Sequence, residues 1–292
     1  MPVYLTFHQK TGQSLPAELA PDVVVTEDIA RLEFPGRYAA FSETRRNLLP
    51  GYVDLLWLAA FRSPALSQFD RFWLVEYDVD YSGDWGAFFE QAADYPEDLL
   101  ATFLKWRRDE PDWMYLKRIV DPLDRPADHI MGFFPVSRFS RAALEVITAS
   151  YAVSGWSGHF ELVIPTAVHR AGLSVAELGG WGTFAPPDRR GRHYEGDFTT
   201  ATTGFYTFGV GPAIQHYRVE SGLGYWDSNR LYHPIKTTLT GYEGFIIWWL
   251  KFRDDLRRRI AHAVGTRPGR RGKLTARHVT RTPSSLDSRT ER

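Results

Sequence analysis

The chain has 292 residues, with 35 Lys+Arg against 35 Asp+Glu and no cysteine, which excludes disulfide frameworks, thiolate zinc sites and cysteine nucleophiles. Hydrophobic residues make up 43% of it and aromatic residues 15%, enough apolar surface for a folded core and too much for a disordered chain. The zero net charge hides an asymmetry: residues 264–292 hold eight Lys+Arg and two Asp+Glu, so an acidic body carries a basic tail, and a general nucleic-acid binder is excluded.

The opening MPVYLTFHQKTG has no charged segment leading into a long apolar run, so no secretory signal is expected. No stretch of 18 apolar residues occurs either, and a cytoplasmic protein is the default. Residues 3–7 and 22–26 (DVVVT) read as strands, three consecutive Val favouring a buried β conformation. Over 51–61, Val53, Leu56, Trp57 and Ala60 repeat at helical spacing. Residues 69–79, FDRFWLVEYDV, form a strong strand that turns polar at its carboxyl end. Trp85, Phe88, Phe89 and Ala92 define a short helical face; 98–107 also reads as a helix, and 113–120 as a strand.

Residues 130–134 predict a strand that leaves at Pro135, with a helix beginning at Ser137. A helix over 160–171 contains Pro165, which is best accommodated in a first turn. The Gly-, Thr- and Arg-rich stretch 179–207 reads as loops. Residues 242–263 carry the clearest apolar stripe, Phe245, Trp249, Phe252, Leu256 and Ile260, and predict a long helix. After Gly265 little remains to bury, so disorder is expected. This alternation predicts one α/β domain over 1–263 with a mostly parallel central sheet flanked by helices, followed by the tail 264–292. Neither GxGxxG nor GxxxxGK[ST] occurs, so the usual dinucleotide and P-loop readings lack support.

The segment 72–86, FWLVEYDVDYSGDWG, carries the chemistry. An apolar strand delivers Glu76, Asp78 and Asp80, and an extended backbone would put all three on one face. Ligands of open α/β sheets sit beyond the carboxyl ends of strands. Carboxylates gathered there are costly without a compensating cation, and hard oxygen ligands suit Mg²⁺ or Mn²⁺ bridging substrate phosphates. The competing reading is a solvated strand end with turn-favouring Asp residues.

This segment resembles the metal-binding Asp-x-Asp region of glycosyltransferases with the GT-A fold. It is most similar to a glycosyltransferase-like group with a W-x-x-E-x-D-V-x-x-x-G-x-W signature, matched by Trp73, Glu76, Asp78, Val79, Gly83 and Trp85. The resemblance covers about residues 1–260 and implies a GT-A-like, Rossmann-related domain. It implies Asp78 near the donor ribose or metal and Asp80 on the metal under the diphosphate, with Glu76 as a substitute for either. IMGFFPVSRFS (130–140) resembles the stretch that builds the acceptor side. GHFELVIPTAVHRAG (158–172) resembles the acceptor helix, which makes Glu161 the matching general base although the usual neighbouring Asp is absent. The alternative for Glu161 is a first-turn acid complementing the helix dipole.

LYHPIK (231–236) resembles the late-His segment, implying His233 as a metal ligand and Lys236 as a phosphate contact. His8 and Lys10 lie where this fold commonly places a nucleotide base, and Arg45, Arg46 and Asn47 are candidates for donor base or phosphate. Trp156, Trp181 and Trp226, in Gly-containing loops, either stack on sugar rings or pack in the core. The resemblance therefore implies a metal-dependent transfer from a nucleotide sugar, a UDP-sugar favoured, to a carbohydrate or lipid-linked hydroxyl. The basic tail would give peripheral contact with an anionic membrane. Competing readings are a metal-dependent nucleotidyltransferase or phosphohydrolase, and a catalytically silent carbohydrate-binding protein.

Overall fold

The computed structural model describes residues 21–38, 53–109, 128–152, 158–196 and 229–239, with the short strands at 6–9 and 216–219 and positions 2, 4, 14 and 249. The predicted strand at 113–120, the helix at 242–263 apart from Trp249, and the basic tail lie outside them. No helix among the described residues is long and apolar enough to cross a membrane.

Strands β1 (Thr6–Gln9) and β2 (Val23–Thr26) pair in parallel, His8 opposite Val25. Val23 and Val25 are buried while Val24 and Thr26 are partly covered, the alternation of a half-buried strand. Helix α1 (Glu27–Glu33) follows, then α2 (Asp54–Phe61), in which every side chain is buried. An apolar run such as DLLWLAAF has no polar face to turn to water, so it becomes an interior helix.

The central sheet is built from β3 (Arg71–Val75), β5 (Leu99–Trp106), β6 (Ile130–Ser140) and β7 (Val175–Glu177), in the order β3–β6–β5–β7. Strand β6 pairs antiparallel with β3 and β5, whereas β5 and β7 are parallel. Three strands therefore share a direction and one, inserted among them, runs against it. The sheet is mixed, where a mostly parallel one is expected from the alternation of elements alone. Between β3 and β5 lie the two-residue strand β4 (Asp80–Tyr81) and helix α3 (Trp85–Ala93). Helices α4 (Arg141–Ala152) and α5 (Phe160–Arg170) follow β6. The short strands β8 (His216–Val219), β9 (Leu231–Tyr232) and β10 (Ile235–Leu239) close the described chain.

Both faces of the sheet are covered, and this explains the largest departure from the sequence reading. Leu99, Ala101 and Leu104 join a cluster with α2, α4 and α5; Leu100 and Phe103 join a second one with α3, Ala176 and Leu231. Residues 98–107 thus form the strand β5 rather than a helix. A strand buried on both faces shows no polar alternation, and Leu, Ala and Lys carry helix propensity that tertiary pairing overrides.

Strand β6 likewise runs on through Pro135 to Ser140, and the helix starts at Arg141 rather than Ser137. The pairing of β6 with β5 is irregular between Phe133 and Arg138, and a proline is tolerated in a strand at such an irregularity. In α5, Pro165 sits in the interior rather than the first turn and so offers no N–H to the Glu161 carbonyl. The helix is buried from Phe160 to Val168, and Thr166 anchors it to β6 by accepting the Ile130 N–H at 3.0 Å.

Candidate metal centre

Strand β3 stops at Val75, and the next four residues turn. The Glu76 N–H donates to the Pro135 carbonyl at 2.8 Å, and the Val79 N–H returns to the Glu76 carbonyl at 3.1 Å. The turn breaks the alternation on which a common face for Glu76, Asp78 and Asp80 depends. Tyr77 is thrown out to solvent, 99% exposed, while Glu76 and Asp78 converge. Asp80 moves onto β4 opposite Tyr232, where its Oδ1 accepts the Tyr81 N–H at 2.8 Å. The convergent group does not include it.

The third member arrives from far along the chain. β4 pairs antiparallel with β9, the Ser82 N–H donates to the Arg230 carbonyl at 2.9 Å, and the Ile235 N–H donates to the Asp78 carbonyl at 2.7 Å. These bonds flank His233 and hold it over the turn. Its Nε2 lies 3.5 Å from Asp78 Oδ1 and 3.8 Å from Glu76 Oε2, and its ring meets Phe133 of β6 edge-on at 5.1 Å. Glu76, Asp78 and His233 each offer one ligand atom, all within 4.8 Å of one another. Asp78 and His233 are buried; Glu76 is 40% exposed and opens the group to solvent.

Two ligands held about 2.0–2.2 Å from one ion cannot be more than roughly 4.4 Å apart, and both His233 distances satisfy that bound. Two carboxylates with one imidazole suit Mn²⁺ or Zn²⁺ better than Mg²⁺, which prefers an all-oxygen, largely hydrated shell.

Glu161 stands in the first turn of α5, but it is buried rather than a solvated partner of the helix dipole. Burial, and then the nearby Glu76 carboxylate, push its carboxyl well above the usual range. This coupling ties Glu161 to the convergent group. The N-cap of α5 is His159, whose Nδ1 accepts the Glu161 N–H at 3.4 Å and lies 3.4 Å from Glu161 Oε2. Gly158, with φ of 127°, shapes the entry to this cap in a backbone region that L side chains avoid.

The remaining sequence candidates are dispersed. His8 lies in β1 and Lys236 in β10, with their side chains outside the described residues; Lys10, Arg45, Arg46, Asn47, Trp156 and Trp226 lie outside them altogether. Trp181 is exposed, and its indole N–H donates to Glu195 at 2.9 Å. His159 escaped notice as an individual residue, although a His two positions before an acid at a helix start is a readable signal. No family model, no curated protein and no solved structure matches the chain.

Proposed function

We propose that this protein is a divalent-metal-dependent glycosyltransferase with a GT-A-like fold, moving a sugar from a nucleotide-sugar donor, a UDP-sugar favoured, to a hydroxyl of a glycan or lipid-linked acceptor. The observation that carries the reading is the convergence of Glu76, Asp78 and His233 beyond the carboxyl end of β3, where ligands of α/β sheets bind. The resemblance of the 73–85 segment to the GT-A signature supports the same reading.

In this reading Glu76, Asp78 and His233 would hold Mn²⁺, which when bound would supply positive charge beside the departing diphosphate. Glu161 is the general base. Burial raises its proton affinity, and a carboxylate with raised affinity takes a hydroxyl proton better than a solvated one. His159 orients that carboxyl from the N-cap. The half-exposed Glu76 leaves the donor a way in, while the buried side of the group excludes water from the base.

The test is a thermal-shift and transfer assay with UDP-sugars, with and without Mn²⁺. Stabilisation by a donor only when Mn²⁺ is present, and donor turnover lost in Glu161→Gln with donor binding kept, are the expected results. Full turnover in excess chelator would overturn the metal reading. Release of inorganic phosphate from nucleotides, with no sugar transferred, would assign the site to phosphohydrolysis instead.

A further inference from the structure

Of the two readings open to Trp181, stacking on a sugar ring or packing in the core, the structure excludes the second. The side chain is 61% exposed, an unusual share for so large an aromatic group, and yet it is held in place. Its indole N–H donates to Glu195 Oε2 at 2.9 Å, and the other Glu195 oxygen stands 3.9 Å from Arg230 Nη2. Arg230 in turn donates through Nη1 to the Gly191 carbonyl.

The indole rests against Gly191, whose φ is 63°. A Cβ at that position would stand 2.3 Å from Trp181 Cζ2 and 2.6 Å from Cε2, closer than a side-chain carbon can come, so only glycine lets the ring lie there. The backbone beneath is braced as well. The Gly191 N–H donates to the Gly180 carbonyl at 3.0 Å, the His193 N–H to the Gly179 carbonyl at 3.2 Å, and the Leu231 N–H to the His193 carbonyl at 2.7 Å. The loop that carries Trp181 is thereby tied to 191–193, and 191–193 to β9. A ring fixed by its own chain on one side and open to water on the other is pre-organised, so a ligand settling on it orders little that is not already ordered.

The rim defines what would settle there. Glu195 supplies acceptors and Arg230 donors, each partly exposed, and a carboxylate and a guanidinium both have capacity beyond the bonds they make here. Their charges oppose each other at short range, so the rim selects neither an anion nor a cation. The matching ligand has an apolar face for the indole and an uncharged edge that both donates and accepts. A pyranose is built that way, with C–H groups on its face and hydroxyls around its edge.

We infer that Trp181 is a stacking platform for a neutral glycan, one pyranose ring lying on the indole with its hydroxyls at Glu195 and Arg230. None of the metal-centre residues takes part, and the inference holds whether or not that centre transfers a sugar.

The test is calorimetric titration of the full chain with cellohexaose, maltohexaose, sorbitol and choline, in excess EDTA so that the outcome is independent of the metal centre. Saturable binding of at least one hexaose is expected, with none by sorbitol, which has the hydroxyls but no ring. Trp181→Ala should weaken that binding roughly tenfold or more with an unchanged melting temperature, since the side chain is largely outside the core. Trp181→Phe should keep part of it, and Glu195→Ala, which frees the indole to turn, should weaken it severalfold. Absence of saturation by both hexaoses would overturn the proposal, as would unchanged affinity in Trp181→Ala. Choline binding more tightly than either hexaose would do so too, because it would make the indole a cation site.

Discussion

The buried pair Arg37–Asp54 offers the sharpest test of how this fold is held. Both side chains are wholly inaccessible, with Arg37 Nε donating to one Asp54 oxygen at 2.9 Å and Nη2 standing 2.8 Å from that oxygen as an ion pair. The Tyr151 hydroxyl donates to that same oxygen at 2.5 Å, and the guanidinium lies 4.3 Å from the Tyr151 ring centre. Nη1 donates to the Gly158 carbonyl at 3.0 Å, so the pair also fixes the chain just ahead of His159 and Glu161. Burial outweighs Arg37 and the Tyr151 bond and raises the Asp54 carboxyl above its ordinary value. A carboxyl whose folded pKa lies above the unfolded one loses stability as pH rises through the folded value. The ionised pair is therefore a costly arrangement, and its removal as a unit differs from breaking it.

Asp54→Ala alone strands a buried guanidinium and should cost roughly 3–5 kcal/mol. At about 2–4 °C per kcal/mol for a domain of this size, the melting temperature should fall by roughly 6–20 °C. The double variant Arg37→Met/Asp54→Leu should recover most of that loss. The assay is urea unfolding followed by tryptophan fluorescence, read as a shift of midpoint at constant slope. A single variant within about 1 kcal/mol of wild type, or a double variant no better than the single, would refute the reasoning.

Three further outcomes follow from the geometry. Mn²⁺ should raise the melting temperature of wild type and of Asp80→Asn but not of Asp78→Asn or His233→Ala; equal stabilisation of all four in a thermal-shift titration would remove the assigned ligands. His193, held at about 4 against an unfolded value near 6.5, binds fewer protons when folded between those values. Stability should therefore be fully present above about pH 6.5 and fall by about 3 kcal/mol towards pH 4; denaturant midpoints across that range, compared with His193→Asn, measure the share due to this ring. Gly180→Ala would drive a methyl into Tyr194 and Glu177, whose hydroxyl and carboxylate already bond each other, and should cost about 1–3 kcal/mol, read from the same unfolding curves.

The candidate site was partly legible because two of its acids are local. Glu76 and Asp78 follow an apolar run, and any strand so ended presents its acids at the ligand edge. The backbone direction after Val75 was not legible. It depends on the Glu76 bond to Pro135 and on the pairing of β4 with β9, contacts with residues distant in the chain. That turn separates Asp80 from Asp78. It equally decides that Glu161, unremarkable as a first-turn acid, comes under the influence of Glu76.

By itself the sequence determined that α2 and α5 are helices, and the clustering of acids after β3. It also marked the His-Pro segment that later meets them. The strand character of β5, the passage of β6 through Pro135 and the reversed direction of β6 among three aligned strands were decided by tertiary structure alone. Local pattern reports which side of an element meets water, and β5 and β6 meet it only at their ends. Where both faces are buried, the pairing partner sets the conformation, and that partner is a neighbour in space rather than in the chain.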